Sequence, residues 1–185
     1  MKAKVVRLKA NMVGRSVPSN FGGAAGRDIE HKLSAQGFPM SNAPGPDIPE
    51  IEMEVKSRDL DATSAQTIGK MTPEDIISTS YRESVIYTKL QQQYRVKTKD
   101  QVIVSAEVYD FSASHIQEKI EKCYEAARQK IIAGDTRDYI RGGHFGFFER
   151  SAVGPRSYQF RFTDNAMKKL EFMSRSTFTK LFTLE

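Results

Sequence analysis

The chain has 185 residues, of which 39% are hydrophobic and 28% charged, so it suits about one globular domain and does not match a disordered protein. A lone Cys123 excludes a disulfide framework within the chain and a cysteine-rich zinc site, and the three histidines are far apart in sequence. Any metal site would therefore depend on carboxylates. No apolar run approaches the roughly 18 residues of a membrane span, and we expect a cytoplasmic protein without a membrane partner.

The formal charge of +5 is unevenly distributed along the chain. Residues 1–27 contain six basic and no acidic side chains, residues 28–140 contain 14 basic and 19 acidic ones, and residues 141–185 contain eight basic and four acidic ones. This layout predicts that the two ends bind a polyanion and that the acidic middle has another task. The alternative for the first segment is a solvated basic tail.

Periodicity and turn residues predict a mixed α/β protein. In chain order we expect a strand over 4–8, a loop over 14–26, a helix capped by Asp28 and ended by Gly37, strands over 51–57, 84–90 and 101–111, a helix over 114–133, a hairpin of 145–150 with 157–163, and a helix from Asp164. The strand over 51–57 alternates strictly, which points Ile51, Met53 and Val55 inward and gathers the charged residues on the other face.

Carboxylates and a lysine are grouped around this strand. Asp47 follows Pro46 in a turn, and Glu54 precedes Lys56 by two residues, so Glu54 and Lys56 share one face. Mg²⁺ is usually bound by one or two carboxylates, a substrate phosphate and several waters. A lysine beside such an ion can orient a water or favour its deprotonated form. The alternative is that Glu52, Glu54 and Lys56 form the solvated face of an edge strand.

The elements Pro46-Asp47 and Glu54-Val55-Lys56 resemble the signature of the PD-(D/E)xK nuclease superfamily. Members of that superfamily often carry another acid on an upstream helix in a G-x-x-x-E setting, a form that Gly26 and Glu30 match here. The sequence is most similar to nucleases and restriction enzymes of the MutH group, and secondly to Holliday junction resolvases of the archaeal Hjc type. We expect a bacterial, archaeal or phage-type origin.

The resemblance implies a restriction-endonuclease-like core, in which a central mixed sheet is flanked by helices and followed by a C-terminal hairpin and helix. It implies that Glu30, Asp47 and Glu54 hold Mg²⁺, which Mn²⁺ would replace, and that Lys56 activates the attacking water. We treat 1–185 as a single nuclease domain, with a basic arm over 1–25, a catalytic core over 26–111 and a DNA-binding extension over 112–185.

These observations predict a Mg²⁺-dependent endonuclease that cuts double-stranded DNA, of a restriction, phage or mobile-element type, and that forms a homodimer if it cuts both strands. The alternatives are a structure-selective junction resolvase and a DNA-binding or assembly protein without catalysis. Polar and basic residues outside the motif are the candidates for contacts with DNA: Arg27, Gln66, Lys70, Arg141, His144, Arg150 and Arg156.

Overall fold

The computed structural model describes residues 12–19, 23–152 and 157–182, with side chains as far as residue 174. The α-helices are α1 (Ala24–Ala35), α2 (Pro73–Ser78), α3 (Val85–Lys89), α4 (Ser114–Ile132) and α5 (Asp164–Phe182). The strands are β1 (Met53–Asp59), β2 (Gln66–Met71), β3 (Gln92–Lys99), β4 (Val102–Asp110), β5 (Tyr139–Arg141), β6 (Gly146–Arg150) and β7 (Tyr158–Phe162). The predicted mixed α/β class is confirmed, and the restriction-endonuclease-like core stays a prediction.

The described strands form two sheets. The first is mixed and has the order β1-β3-β4, with β1 parallel to β3. Strand β3 returns as β4 through Asp100 and Gln101, whose φ angles of 49° and 61° suit a two-residue hairpin turn. The second sheet is antiparallel and has the order β2-β7-β6-β5. Its β6–β7 pair is the hairpin predicted from the sequence.

The chain divides into two compact units. The first contains the described residues up to Ala62 together with Gln91–Tyr109, and therefore α1, β1, β3 and most of β4. The second contains Thr63–Leu90 and the described residues from Asp110 onward. Because β1 and β3 are parallel, a long crossover must join them, and this crossover carries β2, α2 and α3 into the second unit. The expectation of one domain over 1–185 stays a prediction.

The core of the first unit lies between α1 and one face of its sheet. Ile29 and Leu33 of α1 are buried in one cluster with Met53 and Val55 of β1 and with residues from β3 and β4. The amide of Phe38 donates to the Leu33 carbonyl at 3.2 Å, and the amide of Gly37 donates to the Ser34 carbonyl at 3.0 Å. With a φ of 85° at Gly37, this is a Schellman ending, as the glycine predicted.

The core of the second unit is built around Tyr124 on α4. Its ring lies 5.3 Å from Phe148 and 5.4 Å from Phe160, which belong to β6 and β7, and 5.3 Å from Tyr81. These aromatic side chains line the sheet face that α4 covers, because Phe148 and Phe160 are paired in register. The predicted helix over 114–133 is confirmed, and so is the final helix that begins at Asp164.

Other sequence-based boundaries are wrong. The range 84–90 was expected to be a strand, but α3 forms there because the Ser84 hydroxyl accepts the Tyr87 amide at 3.2 Å and caps a helical turn. Helix α1 begins at Ala24, so Asp28 is not its cap but lies within it and pairs with Lys32. The predicted strand over 4–8 lies outside the described residues.

Three strands, β2, β3 and β5, are not predicted from the sequence, and β5 (Tyr139–Arg141) falls between the predicted helix over 114–133 and the predicted hairpin. The sequence predicts a connection over 91–100, but these residues contain β3, whose residues 93–96 are buried on both faces and so lack an alternating pattern. The polar residues around Gln66 predict a loop, but they form β2, an edge strand paired only with β7 among the described strands.

Gly142 is needed for close contact between α4 and the turn before β6. A Cβ placed on Gly142 would overlap the carbonyl oxygen of Cys123 and lie 2.6 Å from the amide nitrogen of Ala127. We expect Gly142→Ala to lower the free energy of unfolding, measured in urea, by at least about 2 kcal/mol, because backbone on both sides must move.

Gly26→Ala is the matched control, since its added Cβ would meet only the Ser57 hydroxyl at 3.3 Å and the site lies within α1. It should be neutral or stabilising by up to about 1 kcal/mol, the helix preference of alanine over glycine. Equal destabilisation by the two substitutions would contradict the steric explanation.

Candidate active site

The predicted catalytic residues all belong to the first unit. Glu30 lies on α1, Asp47 in the turn before β1, and Glu54 and Lys56 on β1 itself. The order of helix acid, turn acid, strand acid and lysine is therefore the one expected from the sequence. What the sequence could not supply is how the turn and the strand are joined.

Asp47 is fixed directly against the middle of β1. Its Oδ2 accepts a hydrogen bond from the amide of Val55 at 2.8 Å, and Val55 is the residue between Glu54 and Lys56. The chain reverses through the 3-10 turn Pro49–Ile51 and through Glu52, whose φ is 50°. Two backbone hydrogen bonds between Ile48 and Met53, at 2.9 and 3.1 Å, close this reversal. The turn acid is thus held in register with the strand acid and the lysine.

Glu54 and Lys56 form an ion pair on one face of β1. The distance from Lys56 Nζ to Glu54 Oε1 is 2.6 Å. The Glu54 side chain is 1% exposed, whereas that of Lys56 is 28% exposed. A buried carboxylate without a cation would be strongly destabilising, so the pairing is required. The alternative of a wholly solvated charged face is therefore wrong at Glu54, while Glu52, which precedes β1, is exposed.

The Glu30 carboxyl interacts electrostatically with Asp47, Glu54 and Lys56. Burial raises the pKa of Glu30 above its ordinary value, and the carboxylates of Asp47 and Glu54 raise it further. The Lys56 amine and the Arg27 guanidinium lower it. The Glu30 carboxyl on α1 therefore responds to the charges of the turn acid, the strand acid and the lysine.

The chemistry of these donors fits a hard divalent cation. Neighbouring carboxylates repel one another in their ionised forms, and a cation between them relieves that repulsion. No group of three or more His, Cys, Asp or Glu side chains is close enough to form a metal cage by itself among residues 12–19, 23–152 and 157–174. Mg²⁺ does not require such a cage, because waters and a substrate phosphate complete its octahedron.

Sequence reasoning missed two buried polar residues on the strand beside β1. In the parallel register Gln93 is paired with Glu54, and Arg95 is paired with Lys56, so all four side chains share one sheet face. Arg95 is 3% exposed and donates to Gln93 Oε1 at 2.9 Å. The only available signal was a Gln-x-Arg alternation in a segment assigned to a connection. The face opposite the apolar core is therefore polar and largely buried.

The predicted DNA-binding residues are distributed over both units. Arg27 is exposed on α1 in the first unit, and Arg156 lies outside the described residues. In the second unit Gln66 and Lys70 lie on β2, and exposed His144 lies in the turn before β6.

Arg141 and Arg150 also belong to the second unit but have different surroundings. Arg141 ends β5 and stacks on Phe147, with its guanidinium carbon 5.3 Å from the ring centroid. Arg150 lines a pocket that also contains Glu74 and Asp135, so its surroundings are partly acidic. A role in DNA binding stays a prediction for all these residues.

The chain matches no protein-family model, and no curated protein is significantly similar to it. In the described residues no helix is both long and apolar enough to cross a membrane.

Substitution of Asp47 tests the electrostatic link to Glu30. We expect Asp47→Asn to lower the pKa of Glu30, because it removes a negative charge that disfavours the Glu30 carboxylate. Lys56→Met should raise that pKa, because it removes a positive charge. Titration of the side-chain carboxyl carbons by NMR measures both shifts.

Asp59→Asn, at the far end of β1, is the control and should leave the Glu30 titration unchanged. A Glu30 pKa that responds to neither Asp47→Asn nor Lys56→Met would show that the helix acid does not share the site.

Proposed function

We propose that this protein is a Mg²⁺-dependent DNA endonuclease with the active site Glu30, Asp47, Glu54 and Lys56. The observation that carries the proposal is the hydrogen bond from the Val55 amide to Asp47, which places the turn acid beside the paired Glu54 and Lys56. A restriction-endonuclease-like core in the first unit and a cytoplasmic location are parts of the same proposal.

The carboxylates of Asp47, Glu54 and Glu30 would hold Mg²⁺, or Mn²⁺ in its place. Bound there, the ion supplies Lewis-acid stabilisation of the phosphate and lowers the pKa of a water. Lys56 orients the attacking water and offsets the negative charge that develops on phosphorus. Its amine lies against Glu54, so the water-positioning group is next to the carboxylate that would hold the ion.

Arg95 and Gln93 support this arrangement from β3. Arg95 is adjacent to Lys56 in the register, and the buried Gln93 accepts its hydrogen bond. The buried guanidinium of Arg95 lies on the same sheet face as Glu54. We assign Arg95 as a positioning residue for the Glu54 and Lys56 side chains.

Affinity for double-stranded DNA would come from basic side chains outside the active site, so binding should weaken steeply with salt. The products would be a 5′-phosphate and a 3′-hydroxyl. One active site serves one strand, so cleavage of both strands would require a homodimer.

Cleavage of supercoiled plasmid DNA tests the catalytic assignment. We expect cutting with Mg²⁺ or Mn²⁺, none with EDTA, and a loss of rate of about 100-fold or more in Lys56→Ala and in Asp47→Ala. Lys99→Ala and Asp61→Ala are matched controls, because these side chains form an exposed ion pair at 3.5 Å that contributes little to stability.

Three results would redirect the proposal. Cutting that persists in Lys56→Ala and Asp47→Ala would refute the assigned site. A preference for four-way junctions over linear duplex would identify a resolvase. Salt-sensitive DNA binding without cutting in any divalent metal would identify a DNA-binding or assembly protein.

A further inference from the structure

A groove in the second unit lies between α4, the glycine turn before β6, and α5. It consists of two adjoining pockets with volumes of about 270 and 380 Å³, which share Lys119 and Phe145. The first pocket is completed by Lys122, Cys123 and the turn residues 142–144, and the second by α5 residues. We call this surface the α4–α5 groove.

Basic side chains surround the α4–α5 groove, whereas most of the surface that lines its two pockets is apolar. Its charged and titratable side chains, apart from the buried thiol, are Lys119, Lys122, His144, Lys168 and Lys169. The lining residues of the two pockets, within the part of the chain that the structure describes, include no carboxylate. Lys168 is paired at 2.8 Å with Asp164 one turn earlier on α5. The groove therefore suits an anionic ligand.

Two phenylalanine side chains also line the groove. Phe172 is 73% exposed, whereas Met167 and Leu170 of the same helix are buried. Phe145 is partly exposed, and the Lys119 amine lies 5.9 Å from its ring centroid. Two phenylalanines beside lysines on a surface offer both flat stacking partners and counter-charges.

The turn that closes the groove is firmly packed. Gly142 contacts the backbone of α4 so closely that no side chain fits. The buried Cys123 thiol accepts the Gly146 amide at 3.0 Å and donates to the Gly146 carbonyl at 3.0 Å. The contacts of Gly142 with the α4 backbone and of Gly146 with the Cys123 thiol therefore hold the turn that carries His144 and Phe145, which preorganises the groove.

We propose that the α4–α5 groove binds a single strand of nucleic acid, with phosphates on the lysines and unstacked bases on Phe172 and Phe145. The combination of a basic groove and exposed aromatic rings is how proteins bind single strands without sequence preference. Paired bases in a duplex keep their faces stacked and would leave these rings unused. The identity of the strand as DNA rests on the proposed nuclease function, whereas binding itself needs neither a metal nor Lys56.

Tryptophan fluorescence offers a direct test, because the chain contains no tryptophan. Phe172→Trp would place a single indole in the groove of the full chain, at an exposed position that tolerates the larger ring. With EDTA present, we expect an oligo(dT) of about 15 nucleotides to quench its emission by base stacking. An abasic strand of the same length should bind but leave the emission unchanged.

Ile77→Trp is the matched control, since Ile77 is 47% exposed in the same unit but lies beside Glu74 and Asp135. Its emission should not respond to oligo(dT). Combining Lys119→Ala with Lys122→Ala should reduce the slope of log affinity against log salt by about 0.7 per lysine removed. Lys99→Ala should leave that slope unchanged.

An unchanged Phe172→Trp emission at saturating oligo(dT), or equal affinity for blunt duplex, would overturn the inference. Binding to vesicles of anionic phospholipid without binding to oligo(dT) would assign the groove to a membrane surface instead. Stronger quenching by oligo(U) would keep the groove but change the strand to RNA. Quenching by oligo(dT) in a protein that never cuts plasmid would keep the groove and refute only the nuclease.

Discussion

The ion pair between Glu54 and Lys56 is the constraint on which the first unit depends. A carboxylate that is 1% exposed must be paired or lose its charge, because the transfer of an isolated ion into the protein interior is very unfavourable. Alternation on β1 places the lysine on the same face, and the parallel register adds Gln93 and Arg95 from β3. The polar face is thus specified by neighbouring strands and not by one motif.

A buried charged face weakens stability compared with an apolar one, so its presence points to function. The opposite face of the same sheet carries Met53 and Val55 against α1 and supplies the apolar core. One face of the sheet therefore packs against the helix, and the other carries the charged residues of the proposed site. The Asp47 carboxylate is held at β1 by a backbone amide, so its position does not depend on the identity of the Val55 side chain.

Sequence patterns predict helices and strands correctly where one face of the element is buried and the other is solvated. This describes α4, the hairpin of β6 and β7, and β1, whose predicted ranges agree with the structure to within about two residues. They failed at β3, where polar Gln93 and Arg95 are as buried as Tyr94 and Val96. They also failed at α3, where a local hydroxyl cap outweighs the strand preference of Val85, Ile86 and Tyr87.

A linear motif in the sequence proposes the candidate site, whereas no linear motif indicates the α4–α5 groove. Glu30, Asp47, Glu54 and Lys56 lie within a short stretch of chain, so a linear motif contains them all. The lysines of the groove lie on α4 and α5, and strands β5 to β7 come between these helices in the sequence. On each helix the two lysines look like part of the solvated side of an amphipathic helix. Only tertiary packing reveals that these helices leave Phe172 uncovered between Lys168, Lys169 and the turn at Phe145. An exposed aromatic ring among lysines therefore indicates a binding surface that cannot be recognised from composition or from residue spacing in the sequence.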